Sequence, residues 1–326
     1  MRVLVTGGAG FVGSHLVELL LAAGQQVQVL DDLSSGRQEN LAGVADSPGL
    51  QVTVASVLDP EVVEPLLGRA DLVFHLAAVV GVDLVLRAPV RTIETNVLGT
   101  STLLRLAAAH GRKVVLTSTS EVYGKGVRIP FSEQDDRLLG PTTRSRWCYA
   151  ESKALDEYLA LAYSLERGLP VVIARLFNTV GPRQSGRYGM VLPRLVGQAL
   201  EGQPLTVYGD GEQTRAFADV RDVVQALYSL AECPSAEGQV VNVGSDREIT
   251  INELARLVIQ VTASKSKISH VPYDQAHPAG FEETMRRVPD TARVRALIGW
   301  QASISLEETI RAVADSYRRG SCRDVG

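Results

Sequence analysis

The stretch VLVTGGAGFVG, residues 3–13, joins a short apolar strand to a glycine-rich turn, and the segment SHLVELL that follows it has helical spacing. It fits the glycine pattern GxGxxG from Gly8 and the pattern GxxGxxG from Gly7. Glycine permits the tight turn and lets the backbone approach a pyrophosphate, whose charge the amides at the start of the next helix can hold. A lone glycine motif is a weak signal, but a strand before it and a helix after it are the context that a dinucleotide site requires.

The first half of the chain alternates short apolar runs with longer segments of helical period. The runs are nearly continuous and rich in β-branched residues, which is typical of parallel strands that helices cover on both faces. Repeated strand–helix units predict an α/β fold with a doubly wound parallel sheet (Rossmann type) and right-handed crossovers. The predicted strands are Val3–Thr6, Gln26–Leu30, Gln51–Ala55, Leu72–His75, Lys113–Thr117 and Val171–Leu176, and the predicted helices include Val12–Ala23 and Val90–His110.

The pattern changes after Asn178, where glycine and proline interrupt the chain repeatedly, as in Gly181-Pro182. We therefore divide the chain into a dinucleotide-binding Rossmann domain, residues 1–178, and a smaller C-terminal α/β lobe, residues 179–326, that is expected mainly to bind the substrate. Whether this lobe is interleaved with the sheet stays open at this point. Its predicted elements are the helices Leu192–Glu201, Val220–Ala231 and Asn252–Val261 and the strands Leu205–Tyr208 and Gln239–Val243.

Composition excludes several classes of protein. The chain has 326 residues, 45% hydrophobic and 21% charged, as in an ordinary globular protein. A net charge of −4 without long runs of one sign argues against nucleic-acid binding. Three scattered cysteines predict neither a disulfide framework nor a metal site. With no leader pattern and no apolar stretch long enough to span a bilayer, we expect a cytoplasmic protein without membrane partners.

The end of the second predicted strand indicates the cofactor. It reads Leu30-Asp31-Asp32, and Asp31 lies 18 residues after Gly13. A carboxylate there can accept hydrogen bonds from both hydroxyls of an adenosine ribose, and it would repel a 2′-phosphate. The sequence therefore favours NAD over NADP. The plainer interpretation, a structural glycine turn followed by solvated aspartates, is less favoured.

A candidate catalytic group follows the fifth predicted strand, which ends in Ser118-Thr119-Ser120-Glu121, with YAESK at 149–153. Tyr149 and Lys153 are four residues apart, so on a helix they share one face. An ammonium near a phenol stabilises the phenolate and lowers its pKa, which an ordinary phenol needs before it can act as a base near neutrality. Thr119, at the carboxyl edge of the sheet, is placed to hydrogen-bond the same substrate oxygen. YxxxK alone is common by chance, and its specificity here comes from the motifs around it.

Taken in order, these motifs make the chain resemble the extended short-chain dehydrogenases/reductases that act on nucleotide sugars. The resemblance covers nearly the whole chain. It is carried by GGAGFVG at 7–13, FHLAA at 74–78, Asn96 with Gly99-Thr100, STSEVYG at 118–124, YAESK at 149–153, RLFNTVGPRQ at 175–184, VYGDGEQTR at 207–215 and the segment from VPD to LIGW at 288–300.

The resemblance implies a chemistry in which NAD stays bound. Tyr149 takes a proton from the 4-hydroxyl of a UDP-sugar with the help of Thr119, while hydride passes from C4 to the nicotinamide. Lys153 lowers the pKa of Tyr149 and binds the nicotinamide ribose. A homodimer through a helix bundle is also implied. Its candidate face, which could instead pack into the core, consists of Leu155, Tyr158, Leu159, Ala162 and Leu165.

Three fates of the 4-keto sugar are open: 4-epimerisation, decarboxylation of a 4-keto glucuronate, and 4,6-dehydration. The dehydratases have Asp-Glu after the catalytic Thr, whereas this chain has Ser120-Glu121, so dehydration is the least favoured. Thr-Ser-Glu is also the pattern of UDP-glucuronate decarboxylases, which keeps decarboxylation open. Glu121 is therefore a candidate catalytic residue, with a structural carboxylate as the alternative.

The segment GPRQSGRYGM, residues 181–190, is more similar to the epimerases. In glucuronate 4-epimerases an Arg here can face the substrate carboxylate, and a clamp on that charge should oppose its loss as CO2. With Arg187 in this role, the sequence favours an NAD-dependent UDP-sugar 4-epimerase acting on UDP-glucuronate, with UDP-glucose/UDP-galactose still open. A UDP-glucuronate decarboxylase is the main alternative. From a different class, a non-catalytic NAD-binding regulatory protein is disfavoured by the intact Thr119, Tyr149 and Lys153.

The remaining contacts are also implied by the resemblance. Two positions depart from the relatives. Ser56 stands where an Asp often holds the adenine, and the usual phosphate-binding Arg is missing, so Arg286, Arg287 and His277 are the candidates for its contact. The expected cofactor residues are Gly7, Gly10, Phe11, Val12, Gly13, Asp31, Asp32, Ser34, Gly36, Ser56, Val57, Leu76, Ala77, Ala78, Asn96, Thr117, Tyr149 and Lys153. The expected substrate residues are Thr119, Ser120, Tyr149, Asn178, Arg187, Val191, Leu192, Tyr208, Arg215 and Arg286.

Overall fold

The computed structural model describes residues 1–126, 128–186, 189–276 and 284–320. Its strands are β1 (Arg2–Thr6), β2 (Gln26–Asp31), β3 (Leu50–Val54), β4 (Leu72–His75), β5 (Lys113–Thr119), β6 (Val171–Leu176), β7 (Thr179–Val180), β8 (Leu205–Tyr208), β9 (Thr214–Ala216), β10 (Ala218–Asp219), β11 (Gln239–Val243), β12 (Glu248–Thr250), β13 (Ile268–Val271) and β14 (Arg286–Arg287). Its α-helices are α1 (Phe11–Ala22), α2 (Pro60–Arg69), α3 (Val82–Arg87), α4 (Pro89–Ile93), α5 (Gly99–His110), α6 (Trp147–Arg167), α7 (Val191–Leu200), α8 (Val220–Glu232), α9 (Ile251–Thr262), α10 (Tyr273–Ala276), α11 (Ala292–Ile298) and α12 (Leu306–Arg318).

Seven strands form one parallel sheet in the order β11-β6-β5-β4-β1-β2-β3. The chain starts at β1, builds outward to β3, and then crosses back to β4 and builds in the other direction. This confirms the predicted doubly wound α/β fold. In such sheets ligands bind beyond the carboxyl ends of the strands where the order reverses, here between β1 and β4.

Apolar cores lie on both faces of the sheet, as the continuous strand runs predict. One face packs against α1 and α8, with Leu16, Leu20 and Leu227 fully buried. The other packs against α2, α5 and α6, with Leu67 and Leu103 fully buried. The sheet is therefore held rigidly from both sides, which fixes the strand ends that carry the site.

The helix predicted over Val90–His110 is broken in the structure. It divides into α4, a π-helical turn over Glu94–Leu98, and α5. The π turn widens the helix by one residue per hydrogen-bonded ring. It carries Asn96, which is fully buried. The π turn thus interrupts the helix at the point where the polar side chain of Asn96 enters the interior.

Residues beyond 178 form a second core around α7, α9 and α12, in which Leu192, Leu254 and Ile310 are fully buried. Two small sheets belong to this lobe, β12-β9-β14 and β13-β8, and β10 pairs with β7. However, β11 joins the edge of the large sheet beside β6, and α8 packs on α1. The chain therefore returns to the Rossmann core after entering the lobe.

Among the described residues, no helix combines the length and apolar character needed to cross a bilayer. Within the same residues, no cluster of three or more His, Cys, Asp or Glu side chains is arranged to hold a metal ion.

Candidate active site

The glycine loop between β1 and α1 is packed so closely that it excludes side chains. Gly7 has a left-handed φ of 72°, and a Cβ there would lie 2.7 Å from the amide nitrogen of Ala77. A Cβ on Gly13 would lie 2.0 Å from the carbonyl oxygen of Gly7. Because Gly10 at the N-cap of α1 has no side chain, the amides that start this helix are left for another acceptor. This backbone cradle fits the pyrophosphate of a dinucleotide.

Asp31 lies at the other end of this cleft. Its Oδ2 accepts from the Ala9 N–H at 2.9 Å and its Oδ1 from the Leu33 N–H at 2.9 Å. Burial raises the pKa of Asp31, and these backbone hydrogen bonds only partly oppose the rise. A Cβ on Gly36 would lie 2.8 Å from Oδ1, so Gly36 packs directly against the carboxylate. A carboxylate fixed in this way suits a pair of ribose hydroxyls.

Most of the predicted cofactor residues line one cavity of about 240 Å³ along this cleft. Ser56, the weak substitute for an Asp, is among them. Three others, Thr117, Tyr149 and Lys153, line an adjoining cavity of about 400 Å³. Those in the first cavity are Gly7, Gly10, Phe11, Val12, Gly13, Asp31, Asp32, Ser34, Ser56, Val57, Leu76, Ala77 and Ala78.

Asn96 departs from its predicted place on the cofactor surface. Its side chain is fully buried in the π turn. Its Oδ1 accepts from the Val79 N–H at 2.8 Å, and its Nδ2 donates to the Ser152 Oγ at 3.0 Å. Asn96 therefore connects the segment after β4 to α6, the helix that carries Tyr149, by hydrogen bonds. It lies behind the residues that line the cavity.

The predicted catalytic residues come together at the ends of β5 and α6. Thr119 ends β5, and its Oγ1 accepts from the Glu121 N–H at 3.2 Å, which starts the 3₁₀ turn Ser120–Tyr123. Tyr149 and Lys153 lie on consecutive turns of α6. Thr119, Tyr149 and Lys153 all line the 400 Å³ cavity, and Thr119 hydrogen-bonds the Tyr149 side chain.

The pKa of Tyr149 differs from the sequence-based expectation. Burial raises it well above its ordinary value, the charge of Glu121 raises it further, and the hydrogen bond with Thr119 lowers it in part. The Lys153 ammonium donates to Asp156 Oδ2 at 2.8 Å, and both side chains are almost fully buried. Burial and Glu121 are the larger causes, and Asp156, which offsets the charge of Lys153, adds to them, so the groups of the chain itself keep Tyr149 protonated. Forming the phenolate requires further positive charge, such as that of an oxidised nicotinamide.

A second ion pair faces Tyr149. Arg287 Nη1 lies 3.1 Å from Glu121 Oε1, and the two side chains are 11% and 17% exposed. Burial alone would raise the pKa of Glu121, but Arg287, Arg146 and Arg215 together hold it below its ordinary value. Glu121 is therefore an anion near neutrality, locked to a guanidinium inside the cavity.

The substrate contact predicted for Arg286 is corrected by this pairing. Arg286 points out of the site, where its Nε lies 2.6 Å from Glu248 Oε1 and its side chain is 54% exposed. Its neighbour Arg287 lines the cavity. Successive residues of a strand face opposite sides, so a shift of one position moves the contact from one face to the other. The alternation of side chains along the strand before the VPD motif at 288–290 was the sequence signal that could have chosen between Arg286 and Arg287.

The other predicted substrate residues line the same cavity, except for Arg187, which lies outside the described residues. Asn178 donates from Nδ2 to the Ala216 carbonyl at 3.0 Å. Arg194, which sequence reasoning missed, stacks its guanidinium 3.8 Å from the centre of the Tyr208 ring. The predicted residues in the cavity are Thr119, Ser120, Tyr149, Asn178, Val191, Leu192, Tyr208 and Arg215.

Comparison with known proteins agrees with the dinucleotide site described above. The model of the NAD dependent epimerase/dehydratase family matches residues 3–244. The chain belongs to this family. NAD is therefore its cofactor class, in agreement with the glycine cradle and the carboxylate at Asp31.

Individual relatives refine the comparison. The chain is 42% identical over 321 residues to a UDP-N-acetyl-alpha-D-glucosaminuronate decarboxylase of Bacillus cytotoxicus, covering 97% of this chain and 98% of the relative. It is 37% identical over 318 residues to UDP-glucuronic acid decarboxylase 1 of Xenopus tropicalis, covering 98% and 72%. A solved UDP-glucuronic acid 4-epimerase mutant of Bacillus cereus, in complex with a UDP-sugar and NAD, superimposes with a TM-score of 0.87 at 26% identity, covering 98% and 99%. These identities favour the decarboxylase alternative over the epimerase that the sequence motifs placed first.

Proposed function

We propose that this protein is an NAD-dependent decarboxylase of a UDP-hexuronate that works through a 4-keto intermediate. The ion pair of Glu121 and Arg287 beside Tyr149 is the main support. The identities of 42% and 37% to two uronate decarboxylases point the same way.

The first step is oxidation at C4 of the sugar. When bound, NAD supplies the acceptor for the C4 hydride. Tyr149 accepts the proton of the C4 hydroxyl while Thr119 hydrogen-bonds the same oxygen. The step leaves a ketone at C4 and a protonated Tyr149.

The second step is loss of CO2. A ketone at C4 makes the carboxylate on C5 a β-keto acid, so the C5–C6 electron pair can pass into the carbonyl as an enolate when CO2 leaves. Because C5 is bonded to C4, its carboxylate lies within reach of the charged groups next to Tyr149. Glu121 is an anion and disfavours a second carboxylate nearby. Arg287, already paired with Glu121, is a poor clamp for that carboxylate. The enolate then takes a proton from water at C5. The hydride returns to C4 from bound NAD, and Tyr149 returns its proton to the C4 oxygen.

The far end of the cavity suits a uridine diphosphate. Arg215 offers a guanidinium, which contacts phosphate in bidentate fashion. Tyr208, Val191 and Leu192 form an apolar wall there, against which a flat base packs favourably. Arg194 lies over the Tyr208 ring and adds a second cation at this end.

Incubation with NAD and either UDP-glucuronate or UDP-N-acetylglucosaminuronate, with products resolved by mass and NMR, tests this function. We expect a product lighter by the mass of CO2 from at least one of the two. A product of unchanged mass with inverted C4 would instead identify a 4-epimerase, and no product from either uronate would contradict both. The two substrates also report whether an N-acetyl group at C2 is accepted.

We also propose that the protein forms a homodimer through the outer faces of α6 and the segment before α5. Leu155, Tyr158 and Leu165 of the predicted face of α6 are 50%, 65% and 88% exposed, whereas Leu159 packs partly against the core. Val90 and Leu98 are 65% and 54% exposed on the neighbouring helical segment. Contiguous apolar surface of this kind is typical of association sites. Light scattering coupled to size exclusion gives the mass directly, and a monomer at micromolar concentration would contradict the dimer.

A further inference from the structure

Asp156 was not singled out by the sequence motifs, yet it makes the shortest contact to the Lys153 ammonium that the described residues contain. Lys153 Nζ donates to its Oδ2 at 2.8 Å, and the side chains of Lys153 and Asp156 are 3% and 0% exposed. A carboxylate removed from water in this way is costly unless its charge is compensated. The pair therefore behaves as a nearly neutral unit behind the cavity wall.

A polar chain behind Asp156 leads back to the cofactor cleft. Burial raises the pKa of Asp156, and Lys153 and, to a smaller extent, Thr100 on α5 oppose the rise. The Thr100 Oγ1 lies 3.0 Å from His75 Nε2, and His75 Nδ1 lies 2.7 Å from the Thr6 Oγ1. The Thr6 hydroxyl in turn accepts from the N–H of Ala77, which lines the cofactor cavity. Thr100 on α5, His75 on β4 and Thr6 on β1 thus form a polar chain from the surroundings of Asp156 to the cofactor cavity, while Lys153 is the hydrogen-bond partner of Asp156 itself.

His75 does not compete with Lys153 for the charge of Asp156. Burial and, to a smaller extent, the charge of Lys153 together lower the pKa of His75 to about 3, so the imidazole is neutral near neutral pH. Glu157, the other carboxylate that faces Asp156, is occupied by Arg175, which contacts it at 2.7 Å. Lys153 is therefore the cation that Asp156 offsets.

The charge of Asp156 reaches Tyr149. Burial, Glu121 and Asp156 all raise the pKa of Tyr149, whereas Thr119 and Arg287 lower it. A cation beside a phenol favours the phenolate, and a carboxylate that offsets this cation removes part of the effect. Lys153 alone would therefore ionise Tyr149 more readily than the Lys153–Asp156 pair does.

We propose that Asp156 is a positioning residue of this active site, whose carboxylate fixes the Lys153 ammonium, offsets its charge and so sets the pH range in which Tyr149 accepts a proton. This rests on the proposed function, because Tyr149 matters as a base only if the C4 hydroxyl of a sugar is oxidised. The arrangement keeps Tyr149 protonated until further positive charge enters the cleft.

Spectrophotometric titration of the Tyr149 phenolate tests this role. The signal is the ultraviolet difference between the NAD-saturated protein and its Tyr149→Phe counterpart, measured in the parent and in Asp156→Asn, which keeps an oxygen for Lys153 but removes the charge. We expect the titration of Asp156→Asn to move to lower pH by about one unit, because Lys153 is then uncompensated. The acid limb of the kcat/KM profile should move with it.

Two variants serve as controls. Asp156→Glu keeps the charge and should titrate like the parent. Asp315→Asn removes a carboxylate with the same i,i+3 spacing, 3.0 Å from Arg318, but on the exposed face of α12, and should also titrate like the parent. If Asp156→Asn gives no folded protein by circular dichroism, Asp156→Ser removes the same charge with a smaller side chain.

An unshifted phenolate titration in Asp156→Asn, or one moved to higher pH, would overturn the role of Asp156 and leave it a structural residue. The titration needs no sugar, so it separates the two proposals. A shift as expected, in a protein that converts neither uronate, would reject the proposed function alone.

Discussion

Two carboxylates at opposite ends of one cleft, Asp31 and Glu121, have pKa values that move in opposite directions. Burial raises the pKa of Asp31, whose partners are the neutral amides of Ala9 and Leu33. Glu121 is largely buried at 17% exposed, but the guanidinium of Arg287 helps to hold its pKa below the ordinary value. Around Asp31 the dinucleotide end is therefore built from backbone amides, although Arg37 and Arg183 also line that cavity, whereas at the reacting end Glu121 and Arg287 neutralise one another directly.

The difference between the surroundings of Asp31 and Glu121 indicates which end of the cleft relies on charged side chains. A dinucleotide brings its own charges, and backbone dipoles hold them without a buried counter-ion. At the reacting end, charge develops and disappears on the substrate and on Tyr149 during the reaction. Paired ions there set the electrostatic potential that this changing charge experiences. Substitutions at the dinucleotide end should therefore affect cofactor binding and packing. Substitutions at the reacting end should affect turnover and its pH dependence.

The largest effect is expected from Tyr149→Phe. Removing the hydroxyl removes the proton acceptor, and turnover of the uronate should fall by about 10²–10⁴-fold. NAD binding, measured by thermal shift, should be retained, because the glycine cradle is untouched. Tyr158→Phe is the matched control, since Tyr158 lies on the same helix but is 65% exposed. Equal turnover of Tyr149→Phe and the parent would place the chemistry elsewhere.

Arg287→Gln should have the next largest effect. It removes a cation that lowers the pKa values of both Glu121 and Tyr149, so Tyr149 should ionise less readily and turnover should fall by about 10- to 100-fold. Arg286→Gln is the control one residue away, because Arg286 pairs with Glu248 on the exposed side. Steady-state assays on both variants decide between the two arginines. A larger loss in Arg286→Gln would place the active-site contact at Arg286 instead of Arg287.

In the dinucleotide half, Gly13→Ala should act through packing. Its Cβ would meet the Gly7 carbonyl oxygen at 2.0 Å, so the loop must open, which costs about 1–3 kcal/mol of unfolding free energy. NAD should then no longer raise the melting temperature. In Gly43→Ala the new Cβ would come no closer than 3.5 Å to Glu18, and both properties should stay unchanged. Normal stabilisation of Gly13→Ala by NAD would show that the cradle is not the cofactor site.

The same division explains what the sequence could predict. The glycine loop, Asp31 and the YxxxK pair are local patterns with fixed spacing, and the structure brings their residues to one cleft. The contact between Glu121 and Arg287 joins residues 166 apart and depends on strand register, so the prediction chose Arg286, on the wrong face. Asn96 was expected at the surface of the cofactor site because its motif is local, but a π turn that no local pattern indicated places it one layer inward.

The smallest effect is a difference in the pH dependence of stability between the two carboxylates. Glu121 has a lowered pKa, so below the ordinary range of Glu its unfolded form binds more protons than its native form, and the native state gains stability as pH rises through that window. Asp31 has a raised pKa, so above the ordinary range of Asp its native form binds more protons, and the native state loses stability as pH rises. Urea unfolding between acid and neutral pH measures the free energy of unfolding. As pH rises, this free energy should increase in the parent relative to Glu121→Gln and decrease in the parent relative to Asp31→Asn. Each difference should be about 1 kcal/mol, the size of one hydrogen bond, and slopes of equal sign would mean that the two ends of the cleft are not built differently.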